Sequence, residues 1–366
     1  MLLSFLALAK PQVHGTRAGT GWSFKFMGMV LAQVYRSSQR IFDCKVMKQE
    51  GGVTGPTGPM IEATALGLLL KEGEIVIGDH VEIEMADAAG DGNNPNTIVK
   101  VLPRKSEIYR FYQRESRRKV TAANCDLIAI INSVSAPSYK RGILDRFVIR
   151  SYEWRIPALV IFNKMDEYVS GGEVDLEFEE ARMNYLKIPS FELSAIDLEY
   201  RPRFLEAGLC ELKEMIAGKS VVMLGQSGVG KSRLIEAISG GSVKLKSKEI
   251  GKARKGTHTT TWSEIVDVGN FRLIDSPGIR SFSLEDMNEE ALISHYPDID
   301  EWATKCQFRN CEHQEDSRGC FFHQQLPQLV TVDDLERRII LSRLESYLQI
   351  KADLSAIPSW SKKERY

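Results

Sequence analysis

The pattern of apolar and polar positions divides the chain into three stretches of different rhythm. From residue 29 to about 101, short apolar runs such as 30–35 and 74–77 alternate with Gly- and Pro-rich segments at 51–59 and 90–95. Strands spaced in this way predict a small barrel or sandwich, an OB-type barrel among them. From about residue 124 the rhythm changes. Buried-strand patterns at 126–131, 158–162, 191–193, 220–224 and 271–274 alternate with helical patterns at 143–154, 176–186, 204–216 and from 231 onward. Such alternation predicts a mostly parallel sheet covered by helices on both faces. After residue 282 the strand patterns stop, and two helical patterns, 285–295 and 333–350, flank a cluster of cysteines and histidines.

Length and composition refine this picture only slightly. A chain of 366 residues suits two or three domains, and 43% hydrophobic with 27% charged residues is an ordinary globular composition. A formal net charge of -1 gives no global attraction to nucleic acid, so any such contact must come from local basic runs. Those runs lie at 114–119 and 244–255, and a solvated face is the alternative reading of each. No run approaches the roughly 20 apolar residues needed to cross a bilayer. Residues 1–9 are apolar but lack a preceding basic region, so residues 1–27 are expected to be a disordered extension, with Met27 or Met29 as alternative starts. A cytoplasmic location is expected. Of six cysteines, Cys44, Cys125 and Cys210 sit in apolar surroundings and are expected to be buried thiols.

The strongest chemical signal is Gly225-Gln226-Ser227-Gly228-Val229-Gly230-Lys231-Ser232, a Walker-A spacing between a predicted strand and a predicted helix. Its glycines let backbone N–H groups face phosphate oxygens at a helix N-terminus. Lys231 would reach the β- and γ-phosphates, and Ser232 would ligate Mg²⁺. The base is chosen elsewhere. Asn163-Lys164-Met165-Asp166 follows the 158–162 strand, at the carboxyl end where open α/β sheets bind ligands. The Asp166 carboxylate can accept from guanine N1–H and its exocyclic amine, donors that adenine lacks there, so GTP is expected rather than ATP. Lys164 can lie along the base, Asn163 can tie this loop to the phosphate loop, and Ser194-Ala195 would bring a backbone N–H to guanine O6. Asp275-Ser-Pro-Gly278 ends the 271–274 strand. Asp275 would hold Mg²⁺ through water, and the Gly278 N–H would meet the γ-phosphate. In the run 259–261, Thr260 is our choice as a further Mg²⁺ ligand, with a plain strand start as the alternative.

The order of these elements is unusual, because the guanine motifs precede the phosphate loop. A sheet tolerates this if its chain simply begins elsewhere at the surface. Ras-like enzymes place a water-orienting glutamine after the Asp-x-x-Gly glycine, whereas this chain has Ile279. Unaided hydrolysis should therefore be slow. His258 is the candidate catalytic group within the chain, and a solvated loop histidine is the alternative. Cys306-x4-Cys311-x-His313-x6-Cys320 offers three thiolates and an imidazole, a set suited to structural tetrahedral Zn²⁺, with His323 as a competing nitrogen ligand and free cysteines as the alternative.

Together these motifs resemble the RsgA/YjeQ family of circularly permuted GTPases: NKMD, LSA, GQSGVGKS, HTTT, DSPGIRSF and the Cys-Cys-His-Cys cluster in that order, preceded by GDHVEIE and LPRKSEIYR. The resemblance spans residues 28–350. It implies an OB-fold barrel at 28–105, a circularly permuted P-loop GTPase domain at 106–285 and a helical zinc-binding domain at 286–366. It further implies GTP/GDP, the small ribosomal subunit and its rRNA as partners, and low intrinsic turnover stimulated by that subunit. A monomer is the default expectation, and with no run long enough to cross a bilayer no membrane attachment is expected. His258 and Ile279 fall where the family has its proposed catalytic histidine and a hydrophobic residue in place of the glutamine. Two departures stand out. Residues 1–27 have no family counterpart, and 314–319 is one residue longer than usual and lacks the usual proline before Gly319.

Overall fold

A computed structural model of the chain describes residues 28–38, 40–50, 53–72, 75–86, 95–112, 117–172, 174–241, 264–275, 284 and 286–357. The expectations for residues 1–27, the basic run 244–255, His258, Thr260, Gly278 and Ile279 lie outside the described residues.

The first module consists of β1 (Met29–Ser37), β2 (Phe42–Val46), a small hairpin of β3 (Lys48–Glu50) and β4 (Val53–Gly55), β5 (Met60–Ala65), α1 (Gly67–Glu72), β6 (His80–Glu84) and β7 (Thr97–Val101). The five longer strands run β1-β2-β5-β7-β6 and close through β1–β6, with β5–β7 the parallel pair. That order, with a helix after the third barrel strand, is OB topology. Ala32, Val34, Phe42, Cys44, Val81, Ile83 and Ile98 fill its interior. Of the 74–77 run, the described residues 75–77 do not form a strand. Ile77 makes one isolated bridge to Ala122, and Gly78 turns the chain at φ +87, where a Cβ would lie 1.9 Å from the Ala123 carbonyl oxygen. The next residue, Asp79, is fully buried and takes a bidentate ion pair from Arg104 (2.7 and 2.9 Å), which explains GDH and LPR as two halves of one joint.

The second module begins with a hairpin, β8 (Glu107–Tyr112) and β9 (Arg117–Ala123), which places the first basic run on a β-ribbon. Then follow β10 (Leu127–Ser133), α2 (Arg141–Trp154), β11 (Ala158–Asn163), α3 (Leu176–Tyr185), β12 (Ser190–Glu192), α4 (Leu209–Ile216), β13 (Ser220–Leu224), α5 (Lys231–Ile238), β14 (Glu264–Val268) and β15 (Phe271–Asp275). The sheet order is β12-β11-β10-β13-β15-β14, parallel except for β14. β10 and β11 are buried at every position, as continuous apolar strands between two helical layers should be. Residues 204–208 are irregular rather than helical. The buried Glu192 carboxylate accepts from the backbone N–H groups of Arg203, Phe204 (3.2 Å) and Leu205 (3.3 Å), and α4 starts only after Gly208. Cys44 and Cys125 are buried as expected, but Cys210, in the first turn of α4, is exposed.

The sheet continues into the barrel. β14 pairs with β1 at Glu264 and Arg36, which also form an ion pair at 2.9 Å. Asp267 of β14 accepts from Tyr35 Oη (2.9 Å) and Lys45 Nζ (2.5 Å). Burial, reinforced by the Asp267 charge, pushes the Tyr35 hydroxyl up, so it remains a donor.

The third module is helical: a short 3₁₀ turn at Leu292–His295, α6 (Pro297–Ala303) and α7 (Asp334–Ser355). The predicted helix at 285–295 reduces to that turn; Pro297 instead opens α6, where its missing N–H is harmless. Asp333 caps α7 through the Glu336 N–H at 2.7 Å. An ion network in which Asp145, Arg182 and Arg343 are fully buried joins this module to the sheet. Arg343 of α7 pairs with Asp298 (2.9 Å) and Asp145 of α2 (3.3 Å), and Asp145 also takes Arg182 of α3 (2.8 Å). Burial alone would raise the Asp145 carboxyl, but Arg182 and Arg343 outweigh it and hold it below the usual value. No helix among the described residues is long and apolar enough to cross a membrane.

Breaking this network should be costly. Arg343→Leu leaves Asp145 and Asp298 short of a partner and is expected to lower stability at pH 7 by about 3–5 kcal/mol in denaturant unfolding. Because the Asp145 pKa is depressed on folding, its contribution is present above the unfolded value of about 3.9 and fades as pH falls through the folded one. The penalty of the variant should therefore shrink below about pH 4.

Candidate functional site: the nucleotide cradle and the metal cluster

The loop after β13 is shaped by three glycines that other residues could not replace cheaply. Gly225, Gly228 and Gly230 have φ of +152, +88 and +97. A Cβ on Gly225 would stand 2.4 Å from the Ile131 carbonyl oxygen, and one on Gly230 would stand 2.4 Å from Asn163 Nδ2. Between them Ser227 is exposed and Gln226 half-buried, while Val229 is buried in the sheet core. Gly230 hands the chain to α5, so the N-terminal end of that helix, at Lys231 and Ser232, stands beside the loop. Lys231 Nζ donates to the Gly225 and Gln226 carbonyl oxygens, both at 2.7 Å, which holds the ammonium against the loop. Asp275 ends β15, directly beside β13 in the sheet.

The guanine motif sits at the carboxyl end of β11. Asn163 is buried and its amide makes the connection predicted from sequence: Nδ2 donates to the Val229 carbonyl oxygen at 2.8 Å, and Oδ1 accepts from the Ala195 N–H at 3.1 Å. One side chain thereby joins three loops. In this structure the Ala195 N–H is turned to Asn163 Oδ1. Lys164 adopts a left-handed conformation (φ +68) and donates to the Ala136 carbonyl oxygen. Asp166 stays exposed, with Ser194 Oγ donating to its Oδ1 at 2.5 Å. That serine also accepts from the Ile196 and Asp197 N–H groups at 3.3 and 3.0 Å. Its use as a brace for Asp166 was not foreseen, because the sequence pointed only to the backbone at Ser194-Ala195.

The metal candidates converge. Ligand atoms of Cys306, Cys311, His313 and Cys320 all lie within 4.8 Å of one another. His313 Nδ1 is 3.5 Å from Cys306 Sγ and 4.0 Å from Cys320 Sγ. A tetrahedral site with metal–sulfur bonds of about 2.3 Å and metal–nitrogen bonds of about 2.05 Å has edges of roughly 3.5–3.8 Å, so the set fits one ion. His323 is outside it, as its Nε2 faces the His313 carbonyl oxygen at 3.0 Å. Burial pushes the Cys306 thiol up to about 12, and the neighbouring thiols add to that; a divalent cation would displace those protons. The Phe321 N–H donates to Cys306 Sγ at 3.3 Å, an outer contact suited to a thiolate. The longer 314–319 segment closes without opening the cluster, turning at Gly319 (φ +73).

A model of the RsgA GTPase family matches residues 101–285, which include the guanine motif, the phosphate loop and Asp275-Ser-Pro-Gly278. A relative from Phocaeicola vulgatus, the small ribosomal subunit biogenesis GTPase RsgA, is 34% identical over 289 residues, covering 76% of this chain and 84% of its own. The chain belongs to the RsgA GTPase family. It is a GTP hydrolase with circularly permuted motifs. A second RsgA relative, from Porphyromonas gingivalis, is 32% identical over 77% of this chain and 85% of its own. Among solved structures, YjeQ from Thermotoga maritima shares the fold with a TM-score of 0.65 at 24% identity, covering 90% of this chain and 100% of that one. YloQ, titled a circularly permuted GTPase, shares it with a TM-score of 0.62 at 18% identity, covering 94% and 100%.

For this RsgA-family chain, the cluster geometry predicts one divalent metal per purified chain by elemental analysis. Cys320→Ser, which removes a fully buried ligand, should abolish the stoichiometric metal, whereas His323→Ala should retain it. The reverse pattern would place His323 in the ligand set.

Proposed function

We propose that this chain binds the small ribosomal subunit and assists its late maturation, hydrolysing GTP to GDP and phosphate with turnover stimulated by the subunit. The observation that carries the reading is the Asn163 bridge, which joins a guanine-type loop to a phosphate loop in permuted order, within a chain whose relatives are named small ribosomal subunit biogenesis GTPases. Asp166 would read the guanine edge, braced by Ser194. Lys164 would flank the base, and Asn163 with Ala195 would complete that wall. The backbone of Gly225, Gln226, Ser227, Gly228, Val229 and Gly230 would wrap the phosphates, with Lys231 neutralising the β- and γ-oxygens.

Ser232, Thr260 and Asp275 would hold Mg²⁺, which when bound neutralises charge on the β- and γ-phosphates. The Gly278 N–H would accompany the γ-phosphate. His258 is assigned as the residue that completes the site for water attack, because Ile279 has no group to orient water. The basic runs would supply rRNA contacts. We read the cluster of Cys306, Cys311, His313 and Cys320 as a structural Zn²⁺ site, since four protein ligands leave no open position. The same reading divides the chain into a barrel (28–105), a permuted GTPase domain (106–285) and a zinc-binding domain (286–366), in a monomeric, cytoplasmic protein.

A GTP-switched scaffold, in which hydrolysis stays slow and is not stimulated by the subunit, is the competing reading, favoured by the missing glutamine. Phosphate release from GTP, measured for the protein alone and with purified small subunits, separates the two. We expect a slow basal rate, a rise of at least tenfold with small subunits, and loss of most of that rise in His258→Ala with GTP affinity unchanged. Tight GTP binding with no rise on any ribosomal particle would favour the scaffold.

A further inference from the structure

A cavity of about 430 Å³ lies away from the nucleotide cradle, where the β8–β9 ribbon crosses the end of α2. α2 runs back from the carboxyl end of β10, so its last residues reach the opposite edge of the sheet from the phosphate loop. The walls are fixed by hydrogen bonds rather than by chance contact. Trp154 Nε1 donates to the Tyr109 carbonyl oxygen at 3.1 Å, Ser106 Oγ to that of Cys125 at 2.7 Å, and the Lys105 N–H to Asn124 Oδ1 at 2.9 Å. The cavity is therefore preformed, and its volume falls in the range of small-ligand sites.

Its charge balance is uneven. Both acidic residues in the wall are engaged: Glu107 takes Arg104 Nη1 (3.1 Å) and Arg118, and Glu153 takes Arg150 (2.6 Å). Arg104 is also held by Asp79. Lys105 and Arg155 line the same cavity, are exposed, and form no ion pair with the described residues. Two cations thus remain over. A flat surface stands with them: the Arg118 guanidinium lies 3.8 Å above the Tyr109 ring, and its side chain is still 46% exposed. A guanidinium stacked on an aromatic ring is a platform for a further planar ring. A bare phosphate would leave most of the volume unused, and a purely apolar ligand would leave the cations unanswered.

We infer that this cavity binds one nucleotide, its base on the Arg118 platform and its phosphate taken by Lys105 and Arg155. The nucleotide is either free or a unit of a single-stranded RNA, and the chemistry is the same in both cases. Stacking is tolerant of base identity, so the site selects phosphate and ring rather than guanine. Arg118 belongs to the basic run read above as an rRNA contact, so the strand form of the inference rests on that reading, whereas AMP binding is tested apart from it, without subunits and with the GTP site filled.

The test uses the full chain saturated with GDP and Mg²⁺, a fluorescein-labelled single-stranded RNA decamer followed by anisotropy, and AMP as competitor. Lys105→Ala with Arg155→Ala should weaken RNA binding at least tenfold. The log–log salt slope should become shallower by about 1.4, two contacts at roughly 0.7 each. Arg118→Ala should weaken binding while leaving that slope within about 0.3 of the parent value. GDP affinity and melting temperature should stay unchanged in the double variant, since its side chains are exposed. Displacement of the RNA by AMP, lost in the double variant, would assign a free nucleotide as sufficient; RNA binding that needs both cations but resists AMP would assign the strand. If the double variant binds the decamer within twofold of the parent and AMP binds neither protein, the inference is overturned.

Discussion

The arrangement of the nucleotide cradle depends on one buried amide. Asn163 stands at the end of a strand that is buried on both faces, and its two polar atoms reach the phosphate loop at Val229 and the Ser194-Ala195 loop. A buried amide that lost either partner would carry the full desolvation penalty of that atom, on the order of 1–3 kcal/mol. The constraint runs both ways. Gly230 must be glycine because any Cβ would occupy the place of Asn163 Nδ2, so residues 67 positions apart along the chain are fitted to each other. Circular permutation changes which half is made first and leaves this contact intact, since it is set by the parallel register of β10, β11 and β13.

What permutation does change is where the phosphate-facing segments lead. β14 is separated from 259–261 by two residues, β15 leads into Asp275-Ser-Pro-Gly278, and the two form a hairpin docked on the barrel through Arg36–Glu264 and the Asp267 contacts to Tyr35 and Lys45. Just beyond residue 283, Asp286 takes Arg150 of α2 and the Phe111 N–H of β8 (3.0 Å), while the buried Asp145–Arg182–Arg343–Asp298 network fixes α7 to α2 and α3. Each segment that would respond to a γ-phosphate is therefore flanked by a joint to another module.

Much of this was legible in the sequence, for physical reasons that differ by element. β10, β11 and β13 were readable because strands buried on both faces are continuously apolar, and the phosphate loop because its glycines answer to backbone clashes that no other residue avoids. The tie from Asn163 to the phosphate loop was readable from the position of its motif at the carboxyl end of a buried strand, whereas its bond from the Ala195 N–H was not. The barrel was readable as a class, but its closure needed the β1–β6 pairing, which leaves no local trace. Residues 204–208 were misread as helix because the buried acid that unwinds them, Glu192, is distant in sequence. The 285–295 segment was misread because its helical periodicity was taken without weighing Pro297 as the start of a separate helix. Cys210 has apolar neighbours in sequence but lies on the outer side of a short helix. Ion networks such as Arg343 with Asp145, and the cavity beside Arg118, join residues whose individual side chains look like ordinary surface charges.

The central claim is that Asn163 holds the phosphate loop in its binding shape as well as serving the base. Binding of Mg²⁺-pyrophosphate, a ligand with no base, to Asn163→Ala tests it directly when compared with GDP binding to the same variant. The account predicts that both affinities fall, pyrophosphate by about five- to tenfold, the equivalent of roughly 1 kcal/mol for one lost hydrogen bond. An unchanged pyrophosphate affinity beside a weakened GDP affinity would contradict it, and would leave Asn163 as a contact to the base alone.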